Sequence, residues 1–110
     1  MRLPNGDRAH LGTKVENYIL NTAHRQGRHK ARMFESILGI TAANSGTLRR
    51  ALLETAATSD KAEPRGKSTF GTTYTVRFAL TTATGTATVL SVWIIRNGEE
   101  FPRLTTCYIV

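Results

Sequence analysis

The feature of this sequence that most constrains its fold is a change in the spacing of apolar residues near residue 71. Before that point they recur three and four positions apart, which is typical of amphipathic helices. After it they alternate with polar residues, as in strands with one buried face. Helices that precede a run of strands favour an α+β fold with the helices on one face of the sheet. We therefore predict about three helices packed on one face of a C-terminal antiparallel meander of three to four strands.

The N-terminal half divides into a lead-in and the predicted helices. The clearest helix covers residues 28–38, and Gly39 directly after it is a typical helix stop. Shorter apolar patterns predict a helix near residues 13–21 and another from about residue 45 to residue 58. The chain is expected to be one domain, 1–110, whose lead-in, helical part, loop and sheet are 1–12, 13–58, 59–68 and 69–110.

Alternating residues predict strands at 72–80, 86–96 and 103–110, with a fourth short strand near 64–70. The strand 86–96 is apolar on both faces, so we place it in the centre of the sheet. We expect the helices to cover the face that carries Tyr74, Val76, Phe78, Leu90, Val92, Ile94, Leu104 and Tyr108. The open face would then carry Thr73, Thr75, Arg77, Ser91, Trp93, Arg103 and Thr105.

That open face combines two arginines, several hydroxyls and one indole. Such side chains can hold phosphates and stack a nucleic-acid base. The alternative is an ordinary solvent-facing sheet surface, where threonine and arginine are common. The exposed tryptophan that this arrangement predicts favours a binding function.

The charge balance points to a polyanionic partner. Fifteen Lys and Arg residues oppose eight Asp and Glu, which gives a net charge of +7. Nucleic acid, an anionic membrane surface or an acidic protein would fit, and a merely solvated basic surface is the alternative. No apolar run is long enough for a membrane span, and no basic amphipathic stripe indicates a membrane surface. The single cysteine excludes an internal disulfide, and no residue cluster predicts a metal site or a cofactor.

Residues 24–38 combine basic and apolar side chains in an unusual order. At about 100° per residue, Lys30 falls in the middle of the apolar arc that contains Phe34 and Ile37. Burial of an unpaired ammonium is costly. Either Lys30 extends from the first turn to water, or that turn ends at a cleft where Lys30 meets an anion.

Several motifs can be read together. An Asn and a His precede a Gly and the segment Lys-Ala-Arg-x-Phe, and later come Val-Trp-Ile and Pro-Arg-Leu-x-Thr-x-Tyr. Together they resemble the pattern of an uncharacterised family of small bacterial domains, over about residues 3–110. Cys107 and the Ile109-Val110 ending replace the commoner Ala and Pro. The matching positions are Asn21, His24, Gly27, Lys30, Ala31, Phe34, Tyr74, Trp93, Pro102, Arg103, Leu104, Thr106 and Tyr108.

Such domains lie at the C-termini of bacterial polymorphic and contact-dependent toxins, and their layout is similar to the barnase–EndoU–colicin–RelE ribonuclease superfamily. The resemblance implies a metal-independent RNA endonuclease, acting on tRNA in the target-cell cytoplasm and neutralised by a cognate immunity protein. A host elongation factor is a further candidate partner, and without partners we expect a monomer. The first residues lack the apolar segment of a secretory signal peptide, so delivery would depend on a longer chain or another device.

Such an enzyme uses the ribose 2′-hydroxyl as nucleophile and leaves a 2′,3′-cyclic phosphate, which requires a base, an acid and cations near the phosphate. The candidate acid or base, charge stabilisers and orienting hydroxyls are His24, Lys30, Arg103, Thr105 and Thr106. The side chains expected to bind RNA are His29, Arg32, Arg77, Ser91, Trp93 and Tyr108. We expect Lys30 and Arg103 to converge on one positively charged pocket.

Two other functions fit the same residues. One is a module that binds RNA or DNA without cleaving it. The other is the antitoxin or immunity member of a toxin pair, although a basic chain would more naturally complement an acidic toxin. Loss of cleavage, rather than weaker salt-dependent binding, after truncation of Lys30 would distinguish the nuclease from the binding module.

Overall fold

The computed structural model describes all 110 residues, Met1–Val110, and confirms the predicted α+β fold. The main helical segments are a π-helical turn at Val15–Ile19, α1 at Arg28–Leu38 and α2 at Gly46–Thr58. Short 3-10 turns lie at Gly6–Arg8 and Ala42–Asn44. The strands are β1 (Glu63–Lys67), β2 (Gly71–Thr81), β3 (Thr86–Arg96) and β4 (Arg103–Ile109). They pair antiparallel in the order β1-β2-β3-β4, which is the predicted meander with its fourth strand.

The helical segments follow the predicted stops. α1 ends at Gly39, whose φ of +66° is the left-handed conformation that glycine tolerates, and whose N–H donates to the Glu35 carbonyl over 2.9 Å. The first predicted helix is shorter than expected, and its Glu16 carboxylate binds Arg49 of α2 at 2.9 Å. None of the helical segments combines the length and the apolar character that a membrane span requires.

β1 occupies much of the segment predicted as a loop, 59–68. Every residue of this strand is exposed, so it has no apolar alternation for a sequence pattern to reveal. It forms by pairing with β2, where Glu63 opposes Thr75 and Lys67 opposes Thr72. The pairing extends the sheet beyond the part that the helices cover.

The helices cover the opposite face of β3 from the one that we predicted. Trp93 and Ser91 are fully buried, each with 0% of its surface exposed. The prediction that these two side chains lie on the open face, where they would bind RNA, is therefore wrong. The alternate residues of β3, at positions 90, 92 and 94, lie on the other face of the sheet.

The register of the meander explains this inversion. β3 is apolar on both faces, so its alternation alone does not select the buried one. Residues 82–85 connect β2 to β3 so that Val76 opposes Ser91, and directly opposed residues share a face. On β4 the register shifts by one residue, because Leu104 opposes Trp93 but Thr106 opposes Val92. Beyond this bulge, Cys107 is buried under the helices, whereas Tyr108, which we predicted there, lies on the open face.

A chain of two hydrogen bonds stabilises the buried face of the sheet. The Trp93 indole N–H donates to the Ser91 hydroxyl over 2.9 Å, and that hydroxyl donates to the Val76 carbonyl over 2.7 Å. A buried polar group is costly unless it has such a partner. The core around this chain includes Val15, Ile19, Phe34, Leu38, Leu48, Leu52, Val76, Val89, Trp93, Leu104 and Cys107.

This chain of hydrogen bonds predicts that the fold is destabilised when the Ser91 hydroxyl is removed. Ser91→Ala leaves the indole N–H without its acceptor, so the free energy of unfolding should fall by about 1–3 kcal/mol. Urea denaturation followed by the fluorescence of the single tryptophan measures this change. Thr88→Ala, at an exposed position of the same strand, is the matched control and should have little effect. Equal stability losses in the two variants would contradict the buried hydrogen-bonded chain.

Candidate functional site

Lys30 leaves the first turn of α1 and lies against Tyr108 of β4. Its Nζ is 4.2 Å from the centre of the phenol ring, which is close enough for a cation–π interaction. Lys30 is exposed and forms no ion pair, whereas Ala31 and Phe34 on the same helix are buried. Lys30 therefore extends to water around the edge of the sheet, and it also lines a small cavity, so the structure has features of both alternatives.

Thr106 lines the same small cavity as Lys30. The cavity measures about 10 Å³, which holds one water molecule at most, so substrate atoms can only bind at its mouth. Cys107 also lines it, but burial raises the pKa of this thiol to about 12, so it is not a nucleophile near neutral pH.

His24 precedes α1 and acts as a cap for the segment that enters it. Its Nδ1 accepts hydrogen bonds from the N–H groups of Gly27 (3.1 Å) and Gln26 (3.3 Å). Nδ1 is therefore unprotonated, and Nε2 carries the ring hydrogen. The ring makes an edge contact with Tyr18, whose centroid is 4.7 Å away. His24 is consequently arranged as a hydrogen-bond donor at Nε2, and acid or base catalysis would require it to give up these backbone contacts.

Tyr18 joins His24 to the cavity that Lys30 and Thr106 line. We call this group the Lys30 cluster, and its members are Tyr18, His24, Lys30, Thr106 and Tyr108. The cluster lies where the N-terminal segments pack against β4. It combines one unpaired ammonium with hydroxyl groups and an imidazole N–H.

Arg103 does not join this cluster. Its Nε and Nη2 donate to the two oxygens of Glu99 over 2.9 and 2.8 Å, and its guanidinium lies 4.9 Å from the ring centre of Phe101. Arg103 pairs with Ile94 and Tyr108 with Leu90, so four residues of β3 separate them, which is about 13 Å at strand spacing. The predicted convergence of Arg103 and Lys30 on one pocket is therefore wrong.

Thr105 and Thr106 belong to different sites although they are adjacent. Thr105 is the extra residue of the β4 bulge, and bulges redirect side chains. Thr105 lines a cleft of about 500 Å³ at the end of the sheet, together with Lys14, Phe70 and Arg96.

The other predicted RNA-binding residues are spread over the surface. His29 and Arg32 are exposed on α1. Arg77 lies near the opposite edge of the sheet, where it lines a cleft of about 340 Å³ with Lys61 and Arg65. These side chains contribute positive charge to the surface without joining the Lys30 cluster.

Sequence reasoning missed four residues that line the Lys30 cavity or the cleft of about 500 Å³. They are Lys14, Tyr18, Phe70 and Arg96. Tyr18 falls within the first predicted helix, at 13–21, where an aromatic residue is not a signal of a site. Phe70 lies in a polar turn of Ser, Thr and Gly, where a large apolar side chain is unexpected, and this was a signal that could have been used.

No group of three or more His, Cys, Asp or Glu side chains is arranged to hold a metal ion. A family described as a domain of unknown function, DUF6883, matches residues 2–110. The chain belongs to this family. A search of curated proteins finds no match. The family match spans both the helical half and the sheet. The Lys30 cluster and the cleft of about 500 Å³ that Thr105 lines therefore belong to one DUF6883 domain.

The Arg103–Glu99 pair makes the stability of this DUF6883 domain depend on pH. The hydrogen bonds from Arg103 lower the pKa of Glu99 below its ordinary value of 4.5. A lowered pKa in the folded state means that the pair stabilises the fold above the ordinary pKa, and that this contribution is lost as the pH falls through the lowered value. Glu99→Gln should therefore lower the melting temperature at pH 7 and make little difference at pH 3.

Thermal melting of both proteins across this pH range measures the effect. Glu100→Gln is the control, because Glu100 makes only a long, exposed contact of 3.8 Å with Arg8. If the melting temperatures of wild type and Glu99→Gln differ by the same amount at both pH values, the ion pair does not stabilise the fold as stated.

Proposed function

We propose that this domain is a metal-independent endoribonuclease that acts at the Lys30 cluster. The observation that carries the proposal is the Lys30 ammonium, unpaired by any carboxylate and 4.2 Å from the ring of Tyr108. Cleavage of a phosphodiester needs a cation and proton donors at one place, and this cluster provides both.

The roles follow from the geometry. The ribose 2′-hydroxyl attacks the neighbouring phosphorus and passes its proton to a water molecule. The bond from phosphorus to the 5′-oxygen breaks, and negative charge builds up on the phosphate. Lys30 stabilises that charge, and the Thr106 hydroxyl and the His24 Nε2–H donate to the non-bridging oxygens. The Tyr108 hydroxyl donates a proton to the departing 5′-oxygen and then regains one from water. Arg103 has no part in this scheme, because Glu99 already occupies its guanidinium.

The charge of the chain supports a nucleic-acid substrate. The net charge is +7, and Lys61, Arg65 and Arg77 surround a second cleft at the far edge of the sheet. Cations spread over a surface attract the phosphate backbone and position it without reading its sequence.

The resemblance to toxin domains supports tRNA as the substrate and a contact-dependent or polymorphic toxin as the larger context. We propose on this ground that a delivered DUF6883 domain acts in the cytoplasm of the target cell. The basic surface would suit an acidic cognate immunity protein, because complementary charge speeds and orients association.

One observation favours a second candidate, a nucleic-acid-binding module without catalysis. His24 is held by two backbone N–H groups, and Arg103 is neutralised by Glu99, so two of the predicted catalytic side chains have structural partners. In that case the Lys30 cluster would bind a phosphate of the nucleic acid without cleaving the phosphodiester bond.

Replacement of Lys30 tests the proposal. Lys30→Met keeps the aliphatic stem against Tyr108 but removes the charge, so RNA cleavage should fall by about 10²–10³-fold. The assay follows tRNA on a gel, with EDTA present. Lys67→Ala, at an exposed position on β1, is the charge-matched control and should keep its activity. A Lys30→Met protein that cleaves as fast as wild type would exclude the mechanism, and intact RNA with the wild-type protein would favour the binding module.

Two replacements of His24 separate its possible roles. The His24→Asn side chain can still accept the backbone hydrogen bonds but has no group at the position of Nε2. The His24→Gln side chain can still donate a hydrogen bond from that position. If His24 is a donor, Gln should keep cleavage within about tenfold of wild type. If the imidazole transfers protons, both variants should lose activity equally.

A further inference from the structure

The cleft at the end of the sheet has the features of a separate binding site. It lies beside the ends of β3 and β4, has a volume of about 500 Å³ and is within the size range of ligand pockets. We call it the Phe70 cleft, and its lining residues are Lys14, Phe70, Ile94, Arg96, Arg103, Leu104 and Thr105.

Phe70 is an exposed aromatic side chain on a fixed backbone. It is 74% exposed, more than any other large apolar residue of the chain. Its N–H donates to the Ser68 hydroxyl over 3.1 Å, and its carbonyl accepts from the Asn97 N–H over 3.0 Å. An added Cβ at Gly71 would overlap the Ile95 carbonyl, so the chain must turn closely after Phe70. A phenyl group held in water by such a turn adds little to the core but offers a flat surface for stacking.

The charges around Phe70 favour an anion. Lys14 and Arg96 form no ion pair, although the Glu99 carboxylate that pairs with Arg103 also interacts with Arg96. Three cations, Lys14, Arg96 and Arg103, therefore face one carboxylate, and the excess charge beside the aromatic ring is positive. A ligand with a planar base and a phosphate matches this set, since the ring can stack the base while the cations hold the phosphate.

The cleft and the Lys30 cluster are continuous along β4. Thr105 lines the cleft, and Thr106, the next residue, lines the cavity beside Lys30. On the other side, Lys14 lines the cleft and lies 5.8 Å from the ring centre of Tyr18, which lines the Lys30 cavity. A strand of nucleic acid that enters one site can therefore reach the other without crossing the sheet.

We propose that the Phe70 cleft binds one nucleotide of a single-stranded RNA segment that continues along β4 into the Lys30 cluster. The segment is single-stranded because a base paired in a duplex is stacked on its neighbours and cannot lie flat on a side chain. This inference rests on the proposed function for the direction of the strand, and it adds the substrate class and a binding residue outside the reacting groups.

The test uses the full chain and a fluorescent 2′-O-methyl oligonucleotide, which has no free 2′-hydroxyl and is not cleaved. Phe70→Ala should weaken binding by about 5- to 100-fold, the loss expected for one stacked base. Phe70→Trp should restore it, because an indole also stacks. Met33→Ala, another exposed apolar position, is the control and should bind as wild type does. Arg96→Gln should reduce the salt dependence of binding by about one phosphate contact, and the same duplexed sequence should show no Phe70 effect.

The outcomes separate the inference from the proposed function. Equal affinity of wild type and Phe70→Ala overturns the inference and leaves the nuclease proposal standing, whereas no binding of the RNA by wild type contradicts both. Binding that depends on Phe70, in a protein that cleaves no RNA, supports the inference while the nuclease proposal fails. If Phe70→Ala instead loses affinity only for polyglutamate, the cleft is a docking surface for an acidic protein and the inference is wrong.

Discussion

The hydrogen bond from the Trp93 indole to the Ser91 hydroxyl stabilises the buried face of this sheet, which the register with β2 selects. An indole N–H without an acceptor is costly in a core, and Ser91 supplies the acceptor from the same face of the same strand. With that face buried, the alternate side chains of β3 at positions 90, 92 and 94 form the middle of the open face. The bulge at Thr105 then turns Thr106 and Tyr108 of β4 onto the open face, and Lys30 reaches Tyr108 around the edge of the sheet. The candidate site therefore depends on a constraint inside the core.

The positive groups of the protein have different tasks. Arg103 is occupied by Glu99 and Phe101, so it stabilises the start of β4. Lys30, Lys14 and Arg96 form no ion pair and remain available to an anion. In our proposal Lys30 stabilises the reacting phosphate, and the other two, with Phe70, hold the neighbouring nucleotide. A ground-state contact at Phe70 and a transition-state contact at Lys30 affect different kinetic quantities, which allows experiments to separate them.

The sequence predicted the order and type of the elements, because strong periodicity and the glycine stop at Gly39 are local signals. It placed Lys30 outside the core as one of two alternatives, and it named Thr106 and Tyr108 among the site residues. It failed where the outcome depends on pairing between strands. The buried face of β3 is set by the register with β2, and the direction of Tyr108 is set by a one-residue bulge, neither of which leaves a pattern within a single strand. The polar strand β1 was predicted only approximately, near 64–70 rather than at Glu63–Lys67, because pairing with β2 rather than an apolar pattern defines it.

The most direct test of the account is an NMR measurement of the lysine side chains. If Lys30 lies over Tyr108, ring currents should shift its ε-methylene protons upfield of those of Lys61 and Lys67, and Tyr108→Leu should remove the shift. Addition of an uncleavable single-stranded RNA should then move the Lys30 signals before those of Lys61. A Lys30 signal at the position of an ordinary exposed lysine, unchanged by the RNA, would contradict both the geometry of the cluster and the function proposed for it.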